Sequence, residues 1–294
     1  MASTWEEAAV IAARLAAEPS RACAPSTYAR DLALSMAATA GLLLGTRAAA
    51  DRWAPAWCGR PAERAGRDDW DSRVVSTLNA VYVAGGYGAF CARAEPSLFE
   101  TSSYDATLVA SCGRDRWLVA LCGYLAVDAW LCCLAFLRRP RGASKRNGAG
   151  GFDDPVVLAH HVVVLVAFAA GVRTRLATRY MACLIFNEAS TPFLNLRSLL
   201  RFADPKAGPS AAYVANGVCL VATYGACRIG WTLFVVGHVA RSWRDLWRVG
   251  YLVADGRVLV VAGLSLLCVA HLLINVYWYA LILAKARDAL AKAR

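Results

Sequence analysis

Two adjacent histidines, His160 and His161, interrupt an otherwise apolar stretch. A neutral imidazole in such a setting can move a proton near physiological pH, or attack an activated acyl carbon. About 26 residues further on, the run Asn187-Glu188-Ala189-Ser190-Thr191-Pro192-Phe193-Leu194-Asn195-Leu196-Arg197 brings amides, hydroxyls, a carboxylate and a guanidinium into a second apolar stretch. Polar groups at membrane depth turn inward toward partners or a wet cavity, so the run marks an interior. Arg197 suits a phosphate, because a guanidinium contacts it bidentately. The histidines project about 100° apart on a helix, which keeps both from facing one small cavity equally.

The medium follows from composition. Of 294 residues, 58% are hydrophobic and 18% charged, whereas a soluble domain carries about 25% charged residues. The net charge of +11 sits mainly in arginines between the apolar stretches. That pattern points to topology and anionic lipid headgroups, with no module for reading nucleic acid. Seven stretches approach the roughly 20 residues a hydrocarbon core requires: Tyr28–Ala48, Arg73–Ala92, Trp117–Leu137, Pro155–Val172, Ala177–Leu200, Tyr213–Ala240 and Arg257–Ala284. The expected fold is therefore all-α, a multi-pass transmembrane helical bundle of about seven spans. Residues 1–27 form an N-terminal segment with a short amphipathic helix, Trp5–Ala17. Residues 28–72 hold the first span and its connection, 73–284 the main bundle and 285–294 a basic tail.

Basic connections after the first and third spans are expected to be cytosolic, which puts the N-terminus in a lumen and the C-terminus in the cytosol. Cys91 and Cys112 bracket the predicted lumenal loop and are candidates for a disulfide. The other cysteines fall mostly within spans as small packing residues. No metal is expected. No CxxC pair occurs, and four histidines with only two adjacent cannot supply a di-iron centre.

Helical rise allows depth to be compared between spans. His160 and His161 fall about 8 to 9 Å inside the end marked by the N-cap Asp154 and Pro155. Ser76, Asn79, Asn195 and Asn275 reach a similar layer from three other spans. Deeper lie Asp128, Glu188 and Arg228, which could neutralise one another. Asn, Ser and Thr also join membrane helices without any chemistry, and that reading stays open for Ser76, Asn79 and Asn275. His238 and His271 stand alone and read as packing or interfacial residues. Pro192 reads as a kink whose freed carbonyl is met by neighbouring polar groups.

The histidine pair followed by the Asn187–Arg197 run resembles the TLC-domain family of multi-pass endoplasmic-reticulum proteins. Arg73-Val74-Val75-Ser76-Thr77-Leu78-Asn79-Ala80 resembles its opening motif, with Asn79 where histidine is common. Gly123-Tyr124-Leu125-Ala126-Val127-Asp128 and Asn275-Val276-Tyr277-Trp278-Tyr279 resemble two further elements in the right order. Asn-Glu-x-Ser-Thr-Pro-Phe-x-Asn-x-Arg is most similar to the TLC domain-containing protein 4 subgroup, also called transmembrane protein 56. The resemblance implies a six-helix bundle preceded by one helix, and a role in lipid homeostasis. The related ceramide synthases transfer an acyl group from coenzyme A with paired histidines and a downstream His-x-x-x-Asp-x-x-Leu-Glu pattern. That pattern is missing here, which argues against ceramide synthesis.

The expected function is thus lipid handling. A cavity would hold an acyl chain or phospholipid against Ser76, Asn79, Asp128, Asn187, Glu188, Ser190, Thr191, Asn195, Arg197, Arg228 and Asn275. His160 and His161 are the catalytic candidates if acyl transfer occurs. Acyl-CoA is then a candidate substrate, and no cofactor is required. A non-enzymatic lipid regulator or transporter is the alternative, and a seven-span receptor is disfavoured by the ordered motifs. Membrane lipids are the expected partners, and the oligomeric state stays open, a homo-oligomer included.

Overall fold

The computed structural model describes residues 24–53, 60–61, 64–94, 111–137, 154–174, 176–203, 210–241, 243 and 258–293. Among them there is no strand, and the helices form seven rods. The first four are unbroken: α1 (Pro25–Trp53), α2 (Arg64–Ala94), α3 (Cys112–Leu137) and α4 (Pro155–Thr174). A fifth rod runs through α5 (Thr178–Cys183), a 3-10 segment (Leu184–Ser190) and α6 (Thr191–Ala203). The sixth runs through α7 (Ala211–Thr223), a π-helical turn (Tyr224–Gly230) and α8 (Trp231–Arg241), and α9 (Val258–Ala293) is the seventh. Six of the rods are long and apolar enough to cross a membrane as one helix. The interrupted fifth rod is the expected span that does not qualify as a single helix.

Each break has a local cause. Pro192 offers no N–H, so the carbonyl of Glu188 loses its regular donor four residues on. The Thr191 amide takes that carbonyl instead, three residues apart, which tightens the chain into a 3-10 turn. The kink read from Pro192 is therefore present. In the sixth rod, the Trp231 amide reaches back five residues to the Ala226 carbonyl, closing the π turn. The two irregular segments lie against each other. Non-helical backbone at membrane depth is tolerated only where protein covers it or a cavity abuts it, and here both hold.

Packing is tightest between α1, α3 and α4. A Cβ at Gly123 would collide with Ser35, and the close approach lets Ser35 Oγ donate to the Ala120 carbonyl at 2.7 Å. The main core gathers Val83, Tyr87, Leu118, Leu121, Phe168 and Ile185. Between α4 and α5 the chain turns at Ala177, whose φ of 56° is the left-handed region.

Several expectations need correction. Helix α2 begins at Arg64, not near Arg73, and α9 continues past Ala284. Both extensions lie where charged side chains leave the apolar stretch. Cys91 and Cys112 do not bridge each other: Cys91 is a thiol, while Cys112 is disulfide-bonded. The amphipathic segment Trp5–Ala17 and most of the connecting loops lie outside the described residues.

Candidate functional site

Arg228 is the hub of the interior. It projects from the π turn, with only 7% of its side chain exposed. Its Nε donates to Ser190 Oγ at 2.8 Å and to the Asn187 carbonyl at 3.2 Å. One terminal nitrogen donates to Thr191 Oγ1 at 2.9 Å and lies 3.7 Å from Glu188 Oε1. The other reaches Asn275 Oδ1 at 3.4 Å. The 3-10 turn frees the Asn187 carbonyl, and the π turn re-aims the arginine toward it. The two breaks thus act as one device, and a guanidinium held mostly by neutral acceptors retains much of its charge.

Further hydrogen bonds fix those acceptors. Thr191 Oγ1 donates to Glu188 Oε2 at 2.7 Å, and Tyr224 Oη donates to Asn275 Oδ1 at 3.0 Å. Asn275 Nδ2 donates to the His271 carbonyl at 2.9 Å. The amide of Asn187 meets His271 Nε2 at 2.9 Å and Thr232 Oγ1 at 3.2 Å. On the opposite wall, Ser72 Oγ donates to Asp128 Oδ1 at 3.0 Å, and His161 Nδ1 lies 3.1 Å from Asp128 Oδ2. Asp128 therefore faces His161 and Ser72, while Glu188 faces Arg228, so the expected Asp128–Glu188–Arg228 triad is two separate pairs.

Most of this network borders one cavity of about 770 Å³, within the size range of small-molecule sites. Of the expected residues, His160, His161, Ser76, Asp128, Asn187, Glu188, Thr191, Asn195, Arg197 and Arg228 line it. Ser190 and Asn275 stand behind Arg228 as its acceptors. Asn79 is not among the lining residues. The cavity is wide enough for both imidazoles: His161 turns to Asp128, while His160 stacks on His271 at 5.1 Å and meets Trp278 edge-on at 5.0 Å.

The cavity changes character along its length. Val164, Ala167, Phe168, Met181, Leu264 and Leu267 make an apolar wall at one end, and Arg197, Arg201 and Lys285 gather at the other. Arg197 lies over the Tyr213 ring at 4.2 Å. Three lining residues keep a buried nitrogen with neither a hydrogen-bond partner nor an ion pair: His160 Nδ1, His271 Nδ1 and Asn195 Nδ2. Buried polar atoms are seldom left so, and three on one cavity mark a place built for a polar group that is not part of the chain.

The family model described as the TLC domain matches residues 69–284, which span α2 through most of α9. The chain belongs to the TLC family. Neither a curated protein nor a solved structure matches it significantly. In this TLC protein the matched region carries every cavity residue named above except Lys285, while α1 lies outside it and packs on α3. Tyr224, Thr232 and Ser72 are members of the network that the sequence did not single out, and His271, read as a solitary packing residue, is bonded into it through Asn187. A signal existed for His271: it lies one helical turn before Asn275 and shares its face.

Proposed function

We propose that this TLC protein holds a single membrane lipid in the cavity, with its acyl chain along the apolar wall and its polar head against the belt around Arg228. One observation carries the reading: unpartnered buried nitrogens and an arginine held by neutral acceptors share one cavity with a long apolar wall. Cationic side chains at the far end suit an anionic head, through charge-assisted hydrogen bonds. Lipid enters sideways between α6 and α7. Leu194, Val214 and Val218 line the cavity and are 37%, 51% and 66% exposed. The setting is the endoplasmic-reticulum membrane and the role is lipid homeostasis. Two features support a lumenal N-terminus: the basic connections, and a disulfide at Cys112 at the end opposite Arg197 and Lys285.

Native mass spectrometry of the detergent-solubilised protein tests this reading. It should reveal one lipid mass retained per chain and exchangeable for an added phospholipid. Chain that flies without adducts and takes up none would end it.

A second reading, acyl transfer from acyl-CoA, is favoured by His160 alone. That residue is 8% exposed and lines the cavity, and its Nδ1 is uncommitted. An imidazole so placed is available as nucleophile or base. Separate His160→Ala and His161→Ala variants decide it. Transfer lost with lipid still bound supports chemistry, and transfer unchanged in both excludes it.

A further inference from the structure

The wall opposite Arg228 carries a second constellation. Asp128 and Cys132 are four residues apart on α3, so they share one face of the helix. His161 approaches them from α4. The carboxylate oxygen, the thiol sulfur and the imidazole nitrogen of these three all lie within 4.8 Å of one another. Cys132 is 1% exposed and Asp128 6%.

Two details set this apart from a plain ion pair. His161 Nδ1 sits 3.1 Å from Asp128 Oδ2, yet it makes no hydrogen bond, because the approach lies off the line such a bond requires. With the ring proton on Nε2, Nδ1 offers its lone pair to a metal. The other oxygen of Asp128 accepts from Ser72 Oγ, the outer-shell partner that orients a ligating carboxylate. On the remaining side, Arg73 and Asp69 pair with each other at 3.0 Å, close enough for both charges to act on the Cys132 thiol.

We propose that Asp128, Cys132 and His161 bind a divalent transition metal ion, of which zinc fits best. The mixed thiolate, imidazole and carboxylate donors suit zinc. Ligand atoms of a tetrahedral zinc centre sit about 3.5 Å apart, so rotation about side-chain bonds closes the set without moving either helix. Binding releases the thiol proton to solvent and involves no electron transfer. Three protein ligands leave a fourth position, and Asp128 and His161 both line the cavity. A metal there would meet an oxygen of whatever the cavity holds.

Histidine number and the lack of CxxC argued against a di-iron site and a structural zinc site. Neither test reaches an Asp-x-x-x-Cys pair on one helix completed by a histidine from the next.

The experiment is metal analysis of the full chain, purified in detergent without chelators, exposed to zinc chloride and freed of excess. Plasma mass spectrometry should find about one zinc per chain, and most of it should be lost in Cys132→Ser and in His161→Ala. Ser72→Ala should keep the metal with about tenfold weaker affinity. Cobalt(II) in place of zinc should show a thiolate charge-transfer absorption that Cys132→Ser abolishes. Wild-type protein that holds almost no zinc overturns the inference. So does zinc retained equally by both variants, which would be an adventitious ion only. Cys132→Ser is nearly isosteric, and its elution profile and thermal transition serve as the folding control. Lipid retention is read on the same samples. Zinc without lipid would defeat the cavity reading and leave this site standing, and lipid without zinc would do the reverse.

Discussion

Two arginine clusters hold this protein together, and they are built on opposite principles. At the ends of α1 and α2, Arg47 and Arg60 converge on Asp71, which is fully buried, at 3.1 and 2.9 Å. Arg47 also bonds Asp68 at 2.6 Å, and Arg60 bonds Asp51. Every guanidinium there meets a full carboxylate, and none of these residues borders the cavity. Arg228, by contrast, has four neutral acceptors at hydrogen-bond distance and one looser ion pair, with Glu188 at 3.7 Å, and it does border the cavity. Cations matched by anions tie helices together and have little field left for a ligand. A cation held by hydroxyls and amides is equally fixed but still attracts an anion.

Breaking each cluster should show the difference. The largest effect is expected from Arg228→Met, which removes the donor from Ser190, Thr191 and the Asn187 carbonyl and strands Glu188. Losing one partner of a buried charged network costs about 3–5 kcal/mol. The expected result is loss of the monodisperse peak in size-exclusion chromatography, with partial recovery in Arg228→Lys. Asp71→Asn should cost less, about 2 kcal/mol, because Arg47 remains partly solvated. Thermal unfolding measures that loss, and lipid stoichiometry should not change.

Two further substitutions sharpen the contrast without touching either cluster. Ala167→Trp fills the apolar wall and should cut lipid occupancy about tenfold, equivalent to about 1.4 kcal/mol, with the thermal transition kept. The smallest effect is expected at Gly217, where an added Cβ would lie 2.9 Å from an Arg197 terminal nitrogen. Gly217→Ala should shift Arg197 and reduce the preference for anionic over zwitterionic lipid about twofold, or about 0.4 kcal/mol. Competition between the two lipids in native spectra reads it.

Hydrophobic length alone exposed the seven rods, because a bilayer demands about 20 apolar residues whatever the tertiary contacts. Depth was legible for the same reason. Rise per residue is fixed, so His160, Asn195 and Ser76 could be placed in one layer. Azimuth was not legible. Asn79 shared that depth, yet it lies off the cavity, and Asp128 chose His161 over Arg228 because α3 packs on α4. His271 looked solitary while its partners, Asn187 and His160, came from two other rods. Pro192 announced a break in the fifth rod, but nothing local announced the π turn that answers it in the sixth. Cys112 shows the same limit, since flanking a loop with Cys91 did not make the two thiols meet.

The central claim is that the acyl chain lies inside the bundle and not merely against its outer surface. Photo-crosslinking with a diazirine-bearing fatty acyl lipid in nanodiscs, mapped by peptide mass spectrometry, tests it most directly. The account predicts adducts on cavity residues such as Val164, Ala167, Leu264 and Leu267, suppressed by excess unlabelled lipid. Adducts confined to the outward-facing Val166, Leu233, Leu266 and Leu273, with no competition, would contradict it.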